Sequence, residues 1–178
     1  MTFLKAESIS ESGMPIPDKV AFIDAKTHKL LDRSQLKEDD LLISIAGVLG
    51  RVGRVSQDIL PANINQALAI IRLGKSSELE RIFLFFSLRS PMTMKQIADV
   101  NVRAAQANIS LQNVRDLEIN VPPTLLEQAA IAKVLSEIDA ELAGLEQRRE
   151  KTRAIKQGMM QEVLTGRTRL ISAEESYA

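Results

Sequence analysis

The stretch TLLEQAAIAKVLSEIDAELAGLEQRREKTRAIKQGMMQEVLTG, Thr124 to Gly166, contains no proline and follows directly on Pro122-Pro123. Two consecutive prolines remove two backbone donors and push the residue before them toward extended geometry, so a boundary falls at Val121-Pro122-Pro123-Thr124. Thr124 and Glu127 have the spacing of a capping box, in which the hydroxyl accepts from the Glu127 amide while the carboxylate reaches back. Gly166 suits the position just past a helix C-terminus. The pattern predicts one helix over Thr124–Thr165, about 40 residues and roughly 60 Å long at 1.5 Å per residue.

Such a helix is too long for an ordinary globular one, and its apolar pattern says how it is stabilised. Ile131, Leu135, Ile138, Leu142 and Leu145 follow one another at intervals of 4, 3, 4 and 3, the seam of a coiled coil. The seam turns polar at Arg149 and Thr152, and apolar residues resume at Ile155, Met159, Met160, Val163 and Leu164. Two packing patches separated by a wetter middle are implied. Each fully buried Leu or Ile contributes on the order of 1.5 to 3 kcal/mol, so the stripe requires cover. The helix either folds back along its own domain or, the stronger reading, pairs with another long helix. In its middle Arg148, Arg149, Lys151, Arg153 and Lys156 stand against Glu150, either a solvated face with intrahelical pairing or a docking surface for another subunit or for DNA backbone.

Composition narrows the chemistry. Among 178 residues, 23 Lys and Arg balance 23 Asp and Glu, so attraction to a polyanion has to come from a local cluster of charge. Hydrophobic residues at 45% and charged residues at 26% exclude disorder throughout. The absence of cysteine excludes disulfides, thiolate nucleophiles and cysteine-built metal sites, and a single histidine, His28, argues against imidazole catalysis and metal binding. His28, between Thr27 and Lys29, reads as a surface residue. Aromatics at 3%, with no Trp, give poor support for a stacking platform for single strands. No cofactor is expected. The opening Met1-Thr2-Phe3-Leu4-Lys5 lacks a signal-peptide pattern and no run of 18 apolar residues occurs, which reads as a cytoplasmic protein without a membrane partner.

The residues before the prolines read as mixed structure. Leu41–Ala46 and Arg51–Val55 form two strands joined by Gly47-Val48-Leu49-Gly50, with Asp39-Asp40 as the turn feeding the first. Gln66–Leu73 reads as a further strand, its alanines leaving a helix open. Ser77-Glu78-Leu79-Glu80 is a second capping box, and Ile82, Phe83, Phe85, Phe86 and Leu88 supply a helix ended by Ser90-Pro91. Leu117, Ile119 and Val121 alternate with polar residues, so the chain enters the prolines as a strand. The fold class is α+β: a β-rich domain over 1–123, one long coiled-coil-type helix over 124–166, and a tail over 167–178.

Three stretches invite a chemical reading. Asn120-Val121-Pro122-Pro123 looks like the Asn/Asp-Pro-Pro-aromatic loop of amino-methyltransferases, yet Val intervenes, Thr124 replaces the aromatic, and no Gly-rich methyl-donor loop accompanies it; a corner into the helix is the better reading. In Gly47-Val-Leu-Gly-Arg51-Val-Gly-Arg54 the Gly-Lys-Ser/Thr ending of a phosphate loop is missing. Its arginines either lie on a solvated hairpin or clamp phosphate and read guanine, and their spacing in a strand puts them on opposite faces. Asn101, Arg103, Gln106 and Asn108 lack apolar periodicity and read as a loop whose amides could pair with adenine and whose Arg could pair with guanine.

The order of these signals is more specific than any of them singly. Leu36-Lys-Glu-Asp-Asp-Leu-Leu-Ile-Ser44, Gly50-Arg-Val-Gly53, Asn63-Ile-Asn-Gln-Ala67 and Gln106-Ala-Asn-Ile-Ser110 are followed by Ile119-Asn-Val-Pro-Pro123, Glu127-Gln128, Ile131 and Val134-Leu135. Lys156-Gln-Gly-Met-Met-Gln161 and Leu164-Thr-Gly-Arg167 close the series. From Leu36 to Leu170 the chain resembles the specificity (S) subunit of type I restriction-modification systems.

That resemblance implies a non-catalytic reader of double-stranded DNA. In the family two recognition domains, each reading half of a bipartite site, are held apart by two antiparallel long helices that also dock the methyltransferase (M) subunits and, through them, the restriction (R) subunits. Against that pattern this chain carries one recognition domain without its usual Trp-bearing opening segment, and one spacer helix. A homodimer with antiparallel helices would rebuild two identical halves and read a symmetric site. The resemblance leaves a second possibility, a fragment that dimerises and captures M subunits without reading DNA. An enzyme is the third and least supported class.

Overall fold

The computed structural model describes residues 1–74, 77–102 and 108–170. They fall into two compact units, Met1–Leu135 and Ser136 onward.

The first unit contains two small sheets. One has the order β2-β1-β5, from β1 (Thr2–Leu4), β2 (Ala21–Phe22) and β5 (Ala62–Ile64), with β1 antiparallel to β2 and parallel to β5. The other has the order β4-β3-β6, from β3 (Leu41–Ser44), β4 (Val52–Arg54) and β6 (Leu68–Ile71), all antiparallel. Around them lie α1 (Ala25–Leu30), α2 (Arg81–Leu88), α3 (Pro91–Val102) and α4 (Leu111–Arg115), and α5 (Leu125–Leu164) spans 40 residues and continues into the second unit.

The run Leu41-Leu-Ile-Ser44 is buried throughout because β3 lies between two cores. Successive side chains of a strand point to opposite faces. Leu42 accordingly joins Leu4, Ile9, Val55 and Leu68 in one cluster, whereas Leu41 and Ile43 join Val52, Phe85, Leu88 and Ile97 in the other. β6 repeats the alternation, with Leu68 on the first side and Ala69 on the second.

Gly13 shows how closely the second cluster is packed. Its φ is +84°, and a Cβ there would stand 2.6 Å from Phe85 Cζ and 2.9 Å from the Val52 carbonyl oxygen. A left-handed backbone angle costs a non-glycine residue about 1–2 kcal/mol, and overpacking adds about 1–3 kcal/mol. Gly13→Ala is therefore expected to destabilise the first unit by about 2–5 kcal/mol in denaturant melts, with an unchanged midpoint as the result that contradicts this packing.

The hairpin, the strand within Gln66–Leu73 and the long helix all form as the sequence predicts. Three expectations are corrected. Leu117, Ile119 and Val121 form no strand: Leu117 and Ile119 do pack on the second cluster, but the backbone partners of Glu118 come from a side chain, since Gln96 Nε2 donates to its carbonyl at 2.8 Å and Gln96 Oε1 accepts from its amide at 2.9 Å. Ser77 does not cap α2. Its hydroxyl accepts from the Leu79 amide, and the helix starts after Glu80, whose own carboxylate accepts from the Phe83 amide. α2 ends ahead of Ser90-Pro91 as expected, and Pro91 then opens α3, where its missing amide costs nothing. His28 is half-buried, its Nδ1 hydrogen-bonded to Oδ1 of the buried Asn63.

Candidate nucleic-acid interface

The turn between β3 and β4 is built on Ser44. Its hydroxyl donates to the Val48 carbonyl and accepts from the Arg51 amide at 2.8 Å, while its backbone amide donates to the Arg51 carbonyl at 2.8 Å. Gly47 and Gly50 take the positive φ values of +73° and +75° that the loop requires. A Cβ at Gly50 would meet Met94 Sδ at 2.9 Å, so glycine also lets α3 pack against the turn.

From there α3 runs to Val102, placing Asn101 in its last turn rather than in a loop. The chain returns at Asn108, exposed and bridged to Ala46, and the Ile109 amide donates to the Ile45 carbonyl at 2.9 Å. The glycine turn, Arg51 and Asn108 thus gather at one end of the β4-β3-β6 sheet. Arg54 is opposite Leu41, at the other end of β4. Arg103 and Gln106 lie outside the described residues.

Arg51 is half-buried, and one of its guanidinium nitrogens donates to the Ile9 carbonyl at 2.9 Å. It shares a shallow recess of about 380 Å³ with Arg89, Glu11, Ser10 and Met94. Arg89 donates to the Glu11 carbonyl at 3.0 Å and stacks over the Phe85 ring at 4.9 Å. Two arginines, each donating to a backbone carbonyl, therefore line one recess together with Glu11, and guanidinium groups are the side chains best suited to a phosphate oxygen. Arg89 was not singled out from the sequence, although Phe85, Phe86 and Arg89 carry the signal: intervals of three and four residues on a helix set a cation over aromatic rings.

Two other arginines of this unit hold carboxylates. Arg72 grips the buried Asp40 with two contacts of 2.6 Å, and this hydrogen bonding raises the Arg72 pKa above its ordinary value. Arg81 pairs with Asp39 at 2.5 Å.

The start of α5 is fixed by Thr124, whose hydroxyl accepts from the Glu127 amide at 3.2 Å, and by the buried Gln128. Gln128 Oε1 accepts from the Glu80 amide at 2.8 Å, and Nε2 donates to the carbonyls of Glu78 and Pro122 at 3.0 and 3.1 Å. Along the seam, Ile131 and Leu135 are half-buried. Ile138, Leu142, Leu145, Ile155 and Met159 are 48% to 57% exposed, and Val163 is half-buried. Glu150 pairs with Arg149 at 3.1 Å and with Arg153 at 3.2 Å, so part of the basic middle is neutralised within the helix. No helix of the described residues is long and apolar enough to cross a membrane.

Comparison with known proteins gives this arrangement a family. Residues 7–154 match the model of the type I restriction modification DNA specificity domain. The chain is similar to the type I restriction enzyme EcoBI specificity subunit of Escherichia coli, 25% identical over 133 residues that cover 74% of this chain and 27% of that protein. Among solved structures it is similar to the HsdS subunit from Thermoanaerobacter tengcongensis, with a TM-score of 0.67 at 16% identity over 90% of this chain and 41% of the other. A chain from a study of assembly and conformational transition in the type I R-M system gives 0.58 at 19% identity, over 91% of this chain and 37% of that one. The chain thus spans well under half the length of these relatives. With the family model matching most of its length, over the first unit and much of the long helix, the protein belongs to the type I restriction modification DNA specificity domain family.

Proposed function

We propose that the protein is a non-catalytic, cytoplasmic DNA-recognition module that acts as a homodimer through α5, reads a bipartite site with two identical halves, and docks M subunits, which bring R subunits. The observation that carries this reading is the seam from Ile138 to Met159: its large apolar side chains are about half open to solvent on a helix whose family function is DNA specificity. Pairing with a second copy covers those side chains and supplies the second reading domain at once.

The recess of Arg51 and Arg89 supports phosphate contact, and the glycine turn with Asn108 supports contact with base edges or backbone beside it. Arg51→Ala is expected to weaken DNA binding by about 1–3 kcal/mol, and Arg89→Ala to lower the salt dependence of binding, each phosphate contact accounting for a slope of about 0.9 in log K against log salt. Light scattering with and without M subunits, followed by mapping of directed methylation, tests the whole reading. Failure to bind or direct methylation to any bipartite sequence refutes it.

A second reading has its own observation. Arg51 already donates to Ile9 and Arg89 to Glu11, as a merely structural pair of arginines would. A complex with M that shows no salt-sensitive retention on DNA favours an interaction fragment.

A further inference from the structure

We infer that two copies pair their α5 helices in one antiparallel register, with the twofold axis passing between Glu150 and Lys151. The inference rests on the dimer reading above and assigns what that reading leaves open, namely which residues meet.

α5 is unbroken from Leu125 to Leu164, so the seam keeps its heptad phase through the polar middle. Continued from Ile138, Leu142 and Leu145, it passes through Arg149, Thr152, Lys156, Met159 and Val163, and Ile155 and Met160 flank it. With the axis between Glu150 and Lys151, Ile138 meets Val163 of the second copy, Leu142 meets Met159, and Leu145 meets the stem of Lys156 beside Ile155. Arg149 and Thr152 face one another at the centre. The apolar recess of about 450 Å³ lined by Ile155, Met159, Met160, Val163 and Leu170 then receives Ile138 and Leu142.

Charge selects this register over its neighbours. In an antiparallel pair the flanking positions of one helix face the same class of position on the other. Here Glu146 faces Arg153 of the second copy, twice by symmetry. A slip that moves the axis toward the N-terminus by half a heptad sets Glu146 against Glu146 and Arg148 against Arg148, and exposes the first patch to Lys156, Thr152 and Arg149. The opposite slip sets Arg153 against Arg153 and Arg149 against Met159. In the chosen register the like-charged flank is Glu141 against Glu162, and Arg167 lies 3.5 Å from Glu162 to offset it. Polar seam residues at the axis then act as the register device: they tolerate one another and interrupt apolar packing in any shifted pairing.

The chain has no cysteine, so introduced thiols report without background. Leu142→Cys and Met159→Cys proteins are oxidised separately and as a mixture, with Arg149→Cys mixed with Thr152→Cys as a second pair that removes no apolar contact. The mixtures are expected to form disulfide-linked dimers. Leu142→Cys alone is not, because its two copies lie about 25 Å apart along the axis at 1.5 Å per residue. Crosslinking of either apolar-site variant by itself means parallel helices and overturns the inference. Dimers by light scattering without crosslinks in either mixture overturn this register and leave the dimer standing. A monomer at all concentrations defeats both.

Discussion

Leu142→Asp is expected to convert the proposed dimer to a monomer. Each copy places Leu142 in the seam, so one substitution removes two apolar contacts from the twofold pair. Full burial of a leucine contributes about 1.5–3 kcal/mol and about half of each Leu142 is left to bury, so association weakens by roughly 1.5–3 kcal/mol, or about 10-fold to 150-fold. Desolvation of two carboxylates adds to the loss. Sedimentation or light scattering across a dilution series reads the change. Ala140→Asp adds the same charge to the solvent side of the same helix and is expected to leave the mass unchanged. The globular unit has its own two cores, so its denaturant midpoint should survive Leu142→Asp. A Leu142→Asp protein that remains dimeric would show that α5 is not the interface.

The long helix was legible because its signals are local: two prolines, a threonine cap, a glycine stop, and apolar residues at intervals of four and three. The hairpin was legible for a similar reason, since Leu41-Leu-Ile-Ser44 is a buried run followed by a glycine turn. What escaped the sequence depends on distant partners. β1 has three residues, too few for alternation to show, and its parallel neighbour β5 pairs Thr2 with Ala62. Glu80 begins α2 because its amide is taken by Gln128, 48 residues along the chain, while its carboxylate caps Phe83. Ser77-x-x-Glu80 is indistinguishable in sequence from a capping box that works. Leu117 and Ile119 alternate correctly and are half-buried, but alternation reports faces and says nothing of pairing; Gln96 stands where a strand would.

The candidate site divides along the same line. The glycines near Arg51 identified the turn, because positive φ at Gly47 and Gly50 is a local requirement. That Asn108 returns to Ala46 at that end of the sheet, and that Arg54 faces the other end, follows from strand register and was not open to a reading of spacing. The proposed seam residues rest on period alone. Their degree of exposure, rising from half-buried Ile131 and Leu135 to about half-open Leu142 and Leu145, needed the fold of the first unit.

Gln128 is where the largest loss of stability in the first unit is expected. The side chain is 1% exposed and makes three hydrogen bonds, to the amide that precedes α2, to the Glu78 carbonyl and to the Pro122 carbonyl in the proline corner. Gln128→Ala strands one buried donor and two acceptors. At about 1–3 kcal/mol for a group left unsatisfied, with water reaching some of them, the loss is about 3–5 kcal/mol and Tm falls on the order of 10 °C. Gln128→Glu separates hydrogen bonding from packing. It keeps volume and an acceptor for the Glu80 amide, but sets a carboxylate against two carbonyls with no proton to donate. Burial and those carbonyls raise the folded-state carboxyl pKa above the ordinary glutamate value of about 4.3. A raised pKa means the stability gained on protonation is fully present below the unfolded value and is lost as pH rises through the folded one. The Glu variant should therefore lie far below wild type at pH 8 and approach it as the pH is lowered toward 5, while the Ala variant keeps a nearly constant deficit. Parallel deficits for the two variants across that range would mean that Gln128 serves by filling space and that its donated hydrogen bonds do not set the start of α5.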